Sequence, residues 1–211
     1  MRLPLVKICA FINNICRIHN IDESHGLKHA LDVYKYSRNL VSSKCKMNPQ
    51  LISQSPVIYT AALLHDTCDK KYMDEAIGIK NITEFLQETK CYNQEQCNVI
   101  VKIIQTMSYS KVKVHGFPEM SIYQDAYHIV READLLTAYD FDRGLLYTMN
   151  NYEVDYETAF HMAKELYLNR MAKHIDDGLI TSNYGITEAN RLLTENMKNM
   201  ELIETMLTNE L

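Results

Sequence analysis

The stretch PVIYTAALLHD, residues 56–66, decides the fold class of this chain. Residues 57–64 are apolar enough to be buried almost all round if they form a helix. Because proline fits the first turn of a helix, we expect this helix to begin at Pro56. The apolar run ends abruptly in His65 and Asp66. The stretch therefore predicts a central buried helix with two polar, metal-ligating side chains at its C-terminal end.

Helical spacing continues on both sides of this stretch. Apolar residues recur every three or four positions, and the 6 Gly and 4 Pro fall at apparent boundaries. A first helix starts near Leu3, and Ser24 is placed to cap a second one. Further helices are expected at 74–88, 94–107, 122–139, 156–171 and 187–207. Only residues 111–114 also fit a short strand.

The chain is thus predicted to be an all-α protein. We expect residues 1–211 to form a single compact bundle. Its metal-site core would cover about residues 21–140, and helices at about 155–208 would complete the fold.

Composition excludes several classes of partner. The 211 residues contain 22 Lys and Arg against 27 Asp and Glu, a formal net charge of −5. This balance argues against a nucleic-acid duplex, which needs a clustered cationic face. No stretch has the roughly 18 uncharged apolar residues of a membrane span. The 6 cysteines include no CxxC pair, which favours reduced thiols and a cytoplasmic protein.

The first two metal-ligand candidates lie around residues 25–29 and 65–66. The adjacent pair His65 and Asp66 can bind one divalent ion through imidazole nitrogen and carboxylate oxygen. The alternative is a hydrogen-bonded core histidine beside a capping aspartate. His25 and His29 are one helical turn apart, a spacing that also suits a metal. His29 lies nearer the apolar face, whereas His25 fits better as a first-turn residue or as a partner behind the ligands.

The third candidate is Asp134, which lies in the apolar stretch READLLTA, residues 131–138. A carboxylate on the buried side of a helix is costly unless it is paired or binds a metal. The alternative to ligation is an ion pair with Arg131 or with a neighbouring helix.

These elements occur in the order and context of one known group. An early helix carries His-x-x-x-Val from His29, the apolar helix closes with Leu-Leu-His-Asp, and a later helix carries Ala-Asp-x-Leu-x-Ala around Asp134. In this the chain resembles the HD-domain superfamily of metal-dependent phosphohydrolases over about residues 21–139. It looks most like small stand-alone hydrolases of the nucleotide pyrophosphohydrolase type. The resemblance implies that His29, His65, Asp66 and Asp134 hold one divalent ion: Mn, Mg, Co, Ni, Fe or Zn.

The segment after the metal pair extends the resemblance. The group's pattern His-Asp-Ile-Gly-Asp-x-Lys-Tyr reads HDTCDKKY here, at residues 65–72. It implies that Asp69 orients or deprotonates water and that Lys71, assisted by Lys70, faces the phosphate. Thr-Cys replaces Ile-Gly, and we expect the lost glycine to alter the aim of Asp69. A fainter C-terminal similarity implies substrate contacts by Arg170 and Arg191.

The resemblance predicts hydrolysis of a phosphate ester or phosphoanhydride in a small phosphorylated substrate, a nucleotide. One alternative is a two-metal phosphodiesterase or di-iron oxygenase, with His115 or His128 as additional ligands. Another is a helical regulatory or interaction protein with a vestigial metal pocket. The sequence leaves open whether the protein forms a homo-oligomer.

Four further residues or segments carry smaller expectations. Residues 108–111 would form a mobile loop beside the site. His161 and His174 would lie on ordinary, partly exposed helix faces. Cys68, inside the metal segment, would be sensitive to oxidation.

Overall fold

The computed structural model describes residues 3–209, and all regular structure within them is helical. The all-α prediction is therefore confirmed. The α-helices in chain order are α1 (Leu5–His19), α2 (Leu27–Lys44), α3 (Gln50–Leu64), α4 (Glu75–Thr89), α5 (Gln94–Thr106), α6 (Tyr109–His115), α7 (Gln124–Thr137), α8 (Phe141–Tyr152), α9 (Tyr156–Asn169) and α10 (Asn183–Asn209). Short 3₁₀ turns precede α7, at Ser121–Tyr123, and follow α9, at Met171–Lys173.

The helix that contains the opening stretch is α3, and it packs against α1, α2 and α5. Its C-terminal half is buried almost all round, as predicted, with Tyr59 partly exposed. The side chains exposed by 1% or less are Val57, Ile58, Thr60, Ala61, Ala62, Leu63 and Leu64. The predicted start at Pro56 is wrong, because α3 begins at Gln50. Proline cannot donate to the carbonyl four residues earlier. The hydroxyl of Ser55 donates to that Ile52 oxygen at 2.8 Å, so the helix continues through the proline.

The second helix also begins elsewhere than predicted. Gly26 precedes its first residue, Leu27, and no side chain caps it. Ser24 lies in the preceding turn, where its backbone N–H donates to Asp22 Oδ1 at 2.8 Å. Its hydroxyl is 2.8 Å from His25 Nδ1. The predicted cap is wrong because the neighbouring histidine engages the serine side chain.

Two segments were misjudged from the sequence. Residues 108–114, predicted as a loop with a strand alternative, mostly belong to α6, with Ser108 at its start. Lys111 is anchored there by an ion pair with Glu75 and by a 2.7 Å hydrogen bond to the Gln105 carbonyl oxygen. The helix α8 was missed altogether. Its signal was Asp140, whose side chain accepts from the backbone N–H of Arg143 at 3.1 Å.

The chain divides into two compact units, Met1–Asp134 and Leu135–Leu211. The first contains α1 to α6 and α7 up to Asp134, with all four predicted ligands. In the second, α8 packs on α9, and Phe141 meets Phe160 and Tyr167 edge to face at 5.8 and 5.9 Å between ring centroids.

His174 belongs to the second unit and corrects one expectation. Its side chain is fully buried, with the ring 5.8 Å from that of Tyr139, rather than partly exposed on a helix face. His161, by contrast, is exposed as expected. Among residues 3–209, no helix combines the length and apolar character needed to cross a bilayer.

Candidate metal centre

The site lies at the C-terminal end of α3. His65 and Asp66 follow Leu64, the last residue of α3, and lie in the turn at its end. His29 lies in the first turn of α2 on the same buried face as Ala30 and Val33. Asp134 is in the last turn of α7. Three separate helices thus bring together the four side chains named from the sequence.

The ligand atoms of these side chains are close enough to share one ion. The Nε2 atoms of His29 and His65 are 3.1 Å apart. Asp66 places Oδ2 3.1 Å from His29 Nε2 and Oδ1 3.3 Å from His65 Nε2. Asp134 Oδ1 is 3.5 Å from each of the two nitrogens. His29, His65 and Asp66 each offer one ligand atom within 4.8 Å of the others.

These spacings fit the donor shell of a divalent cation. Ligand atoms at about 2.0–2.2 Å from an ion lie about 3.0–3.5 Å from one another in octahedral or tetrahedral arrangements. Two imidazoles and two carboxylates also match the donor preferences of Mn, Fe, Co and Zn.

The hydrogen bond behind His65 strengthens this interpretation. Its Nδ1 lies 2.9 Å from the Ala62 carbonyl oxygen, which can only accept. Nδ1 must therefore carry a proton, and in the neutral ring Nε2 presents its lone pair to the cluster. That lone pair faces carboxylate oxygens, which are acceptors too. Such an arrangement requires positive charge between them, supplied by a proton or by a metal ion.

The ionisation of the cluster follows from burial and from its mixed charges. Burial disfavours the charged imidazole of His65, but the carboxylates of Asp66 and Asp134 outweigh it and hold its pKa well above the ordinary value. Burial likewise disfavours both carboxylates. The charge on His65 and the hydrogen bonds from the histidines nevertheless lower the pKa of Asp66 and of Asp134. The cluster therefore pairs two carboxylates with at least one imidazole that favours its charged form.

Asp134 has ion-pair geometry with the neighbouring helices, since its Oδ1 lies 3.5 Å from the Nε2 atom of each cluster histidine. The predicted alternative of an ion pair with a neighbouring helix therefore stays open beside metal ligation. Arg131, one turn earlier on α7, is buried, and its guanidinium lies 3.9 Å from Glu132 Oε1. Its guanidinium carbon also lies 4.7 Å from the centre of the Phe117 ring, a cation–π contact.

His25 is not part of the ligand group. Its Nδ1 is 2.8 Å from the Ser24 hydroxyl and 3.2 Å from the Tyr72 hydroxyl, which also donates to Asp22 Oδ2 at 3.0 Å. Its Nε2 is 3.4 Å from Lys71 Nζ. The ring of His25 lies 6.1 Å from that of His29, immediately beside the centre. This placement matches the predicted partner behind the ligands rather than the ligand itself.

The predicted catalytic segment follows in a tight turn. Asp69 is half-buried, and its Oδ1 accepts from the backbone N–H of Lys71 at 2.9 Å. Lys70 and Lys71 are both exposed. The side chain of Lys71 turns toward His25, which brings one of the two lysines to the edge of the centre. The catalytic roles of Asp69 and Lys71 and the phosphate contacts of Lys70 and Lys71 stay predictions.

Cys68 stands where the similar group has glycine, and the structure shows how its side chain is accommodated. Gly78 on α4 lies directly opposite, so close that a Cβ there would be 2.5 Å from Cys68 Cβ and 2.7 Å from its Cα. Burial raises the pKa of the Cys68 thiol to about 12. Burial and the raised pKa both lower the reactivity expected of this thiol, which argues against the predicted sensitivity to oxidation.

The two C-terminal arginine candidates, Arg170 and Arg191, belong to the second unit, where Arg170 follows α9. The guanidinium of Arg191 contacts Glu188 and Glu195 of its own helix at 2.8 Å. Their predicted substrate contacts stay predictions.

Neither extra histidine joins the cluster. His115 is exposed at the end of α6. The ring nitrogens of His128 are 3.1 Å from Gln124 Nε2 and 3.4 Å from an Arg131 nitrogen. In the described part of the chain, the group that could hold a metal contains neither of them.

Comparison of the chain with protein-family models, with curated proteins and with solved structures gave no match. The sequence did not predict the contacts that Asp22, Ser24 and Tyr72 make around His25, beside the candidate centre. The pairing of Tyr72 with Asp22 spans 50 positions and has no local signature.

Proposed function

We propose that this protein is a divalent-metal-dependent phosphohydrolase of the HD type that acts on a phosphate ester or phosphoanhydride of a nucleotide. The observation that carries the proposal is the convergence of His29, His65, Asp66 and Asp134 from three helices, with donor atoms 3.1–3.5 Å apart. The order of these ligands along the chain, in their apolar helical contexts, supports the same conclusion.

The four side chains would hold the ion, and the protein around them fixes their geometry. Ala62 orients the His65 ring through its carbonyl oxygen, while the buried end of α3 keeps bulk water from one side of the cluster. A bound divalent cation lowers the pKa of water and neutralises charge on a phosphoryl group.

The groups at the rim have complementary tasks. Asp69, in the turn after the ligands, is placed to orient a water molecule or accept its proton. Lys71 supplies positive charge toward phosphate oxygens as the leaving group departs. The ion and the Lys71 ammonium would together counter the acidic charge of the site where an anionic substrate binds.

The test combines metal binding with phosphate release. Mn²⁺ binding to the purified protein is measured by isothermal titration calorimetry. Release of phosphate or pyrophosphate is then assayed over a panel of nucleotides with Mn²⁺, Mg²⁺, Co²⁺ or Ni²⁺. We expect one bound ion per chain and activity on at least one nucleotide.

The matched variants are Asp66→Ala and Asp32→Ala. Asp66→Ala should abolish both metal binding and activity. Asp32 is an exposed aspartate that pairs with Lys28 on α2, so the same substitution there should leave both unchanged. Activity that survives Asp66→Ala would contradict the metal mechanism. No bound metal and no product from any nucleotide would favour the interaction protein instead.

A further inference from the structure

Beside the metal centre, Lys71 belongs to a connected polar cluster whose other members, His25, Tyr72, Asp22 and Ser24, have no task in the proposed reaction. We propose that His25 is a positioning residue that holds the ammonium of Lys71 toward a second phosphate group, next to the one at the metal centre. The inference rests on the proposed function and deepens it, because it assigns the site to a substrate with at least two linked phosphates.

The direction of the hydrogen bonds follows from the chemistry of lysine. The ammonium of Lys71 has only donors, so at 3.4 Å from His25 Nε2 it donates and the ring nitrogen accepts. The neutral ring of His25 must then carry its proton on Nδ1. That nitrogen faces the hydroxyls of Ser24 and Tyr72 at 2.8 and 3.2 Å, and either oxygen can accept from it. Tyr72 in turn donates to Asp22 Oδ2.

This chain of contacts fixes the His25 ring at both nitrogens. It also explains why His25 is not a metal ligand, since the cation of Lys71 already lies against Nε2, the nitrogen farther from the anchoring hydroxyls. The backbone of Lys71 is held as well, because its N–H donates to Asp69 Oδ1 at 2.9 Å. The contact with His25 Nε2 at 3.4 Å then restricts the lysine side chain.

Holding the Lys71 side chain in place lowers the entropic cost of binding a ligand. An exposed lysine side chain loses up to about 2 kcal/mol of rotamer freedom when it is ordered on a ligand. A lysine that is already held near its working position loses less. The His25 ring lies beside the His29 ring, 6.1 Å away between centroids, so the tethered ammonium is adjacent to the cluster and outside it. It would therefore contact a neighbouring phosphate rather than the group on the ion.

The test measures binding with and without a second phosphate. The Mn²⁺-loaded protein is titrated with preformed manganese pyrophosphate and, separately, with inorganic phosphate. We expect His25→Ala to raise the Kd for pyrophosphate about tenfold, on the scale of the rotamer freedom that Lys71 regains. The Kd values for inorganic phosphate and for Mn²⁺ should stay within about twofold of those of the parent protein.

Three further variants separate positioning from a merely structural role. His25→Gln offers an amide oxygen near the place of Nε2 and should restore most of the pyrophosphate affinity. Tyr72→Phe, which removes only the hydroxyl, should weaken pyrophosphate binding in the same direction as His25→Ala but by less. In a Lys71→Ala background, His25→Ala should have no additional effect, because its only route is through the lysine.

The inference is overturned if His25→Ala weakens phosphate and pyrophosphate equally, if it weakens Mn²⁺ binding as strongly, or if its effect persists in Lys71→Ala. Failure of the proposed function has a different signature, namely a parent protein that binds no Mn²⁺. If His25→Ala lowers the melting temperature markedly, the Kd values for pyrophosphate, phosphate and Mn²⁺ are compared between His25→Gln and the parent protein instead.

Discussion

The contact between Gly78 and Cys68 gives the sharpest prediction of the structure. Gly78 lies inside α4, where alanine normally stabilises a helix by about 0.5–1 kcal/mol relative to glycine. A Cβ at position 78 would, however, lie 2.5 Å from Cys68 Cβ, 2.7 Å from Cys68 Cα and 3.0 Å from Met73 Sδ. Carbon atoms pack best at about 3.5–4.0 Å, so roughly 1 Å must be gained. The first two atoms cannot rotate away.

The change in the free energy of unfolding is the balance of these two opposing effects. Overpacking of this kind costs about 1–3 kcal/mol. Subtracting the gain in helix propensity leaves Gly78→Ala destabilised by up to about 2.5 kcal/mol. Gly144, in α8, has no atom within 4 Å of the position its Cβ would take, so Gly144→Ala keeps only the gain in propensity. The difference between the two variants therefore isolates the clash, at about 1–3 kcal/mol.

The assay is equilibrium unfolding in urea, followed by circular dichroism, together with calorimetric titration of Mn²⁺. Because Cys68 is two residues from Asp66, Gly78→Ala should also weaken Mn²⁺ binding, whereas Gly144→Ala should not. If Gly78→Ala stabilises the protein as much as Gly144→Ala does, the close approach of α4 to the metal-binding turn is refuted.

Three further predictions concern the centre, the thiols and a helix cap. The raised pKa of His65 favours its protonated form, so the apo protein should lose stability as pH rises through that pKa, while Mn²⁺ affinity should rise over the same range. Thermal melts with Mn²⁺ and with EDTA from pH 6 to 9 should therefore diverge; melting temperatures that run parallel would contradict the ligand role of His65. Cys68, buried and with its pKa raised to about 12, should react with a thiol reagent such as DTNB far more slowly than the partly exposed Cys45, and equal rates in the native protein would refute the packing. Asn93→Ala removes the capping box at the start of α5 and should lower the free energy of unfolding by about 0.5–2 kcal/mol, which a urea titration measures; no loss would mean that the cap is dispensable.

The sequence predicted the helical elements well where their signals are local. Most predicted helices lie within a few residues of the observed ones, because apolar spacing and capping residues act over one or two turns. The errors at Pro56 and Ser24 arose where one nearby side chain changed the local balance: the Ser55 hydroxyl replaces the missing proline donor, and His25 engages the expected cap.

Residue chemistry singled out His29, the pair His65–Asp66 and Asp134 as separate candidates, and the resemblance to the HD group implied that they form one set. Burying a polar side chain at the end of an apolar helix costs free energy unless the side chain has a partner, so such positions can be recognised in a sequence. Only the tertiary structure decided that their donor atoms lie 3.1–3.5 Å apart, that His25 turns to Lys71, and that Gly78 makes room for Cys68. Those outcomes depend on contacts between residues far apart in the chain, whose distances are set by how whole helices pack rather than by any local preference.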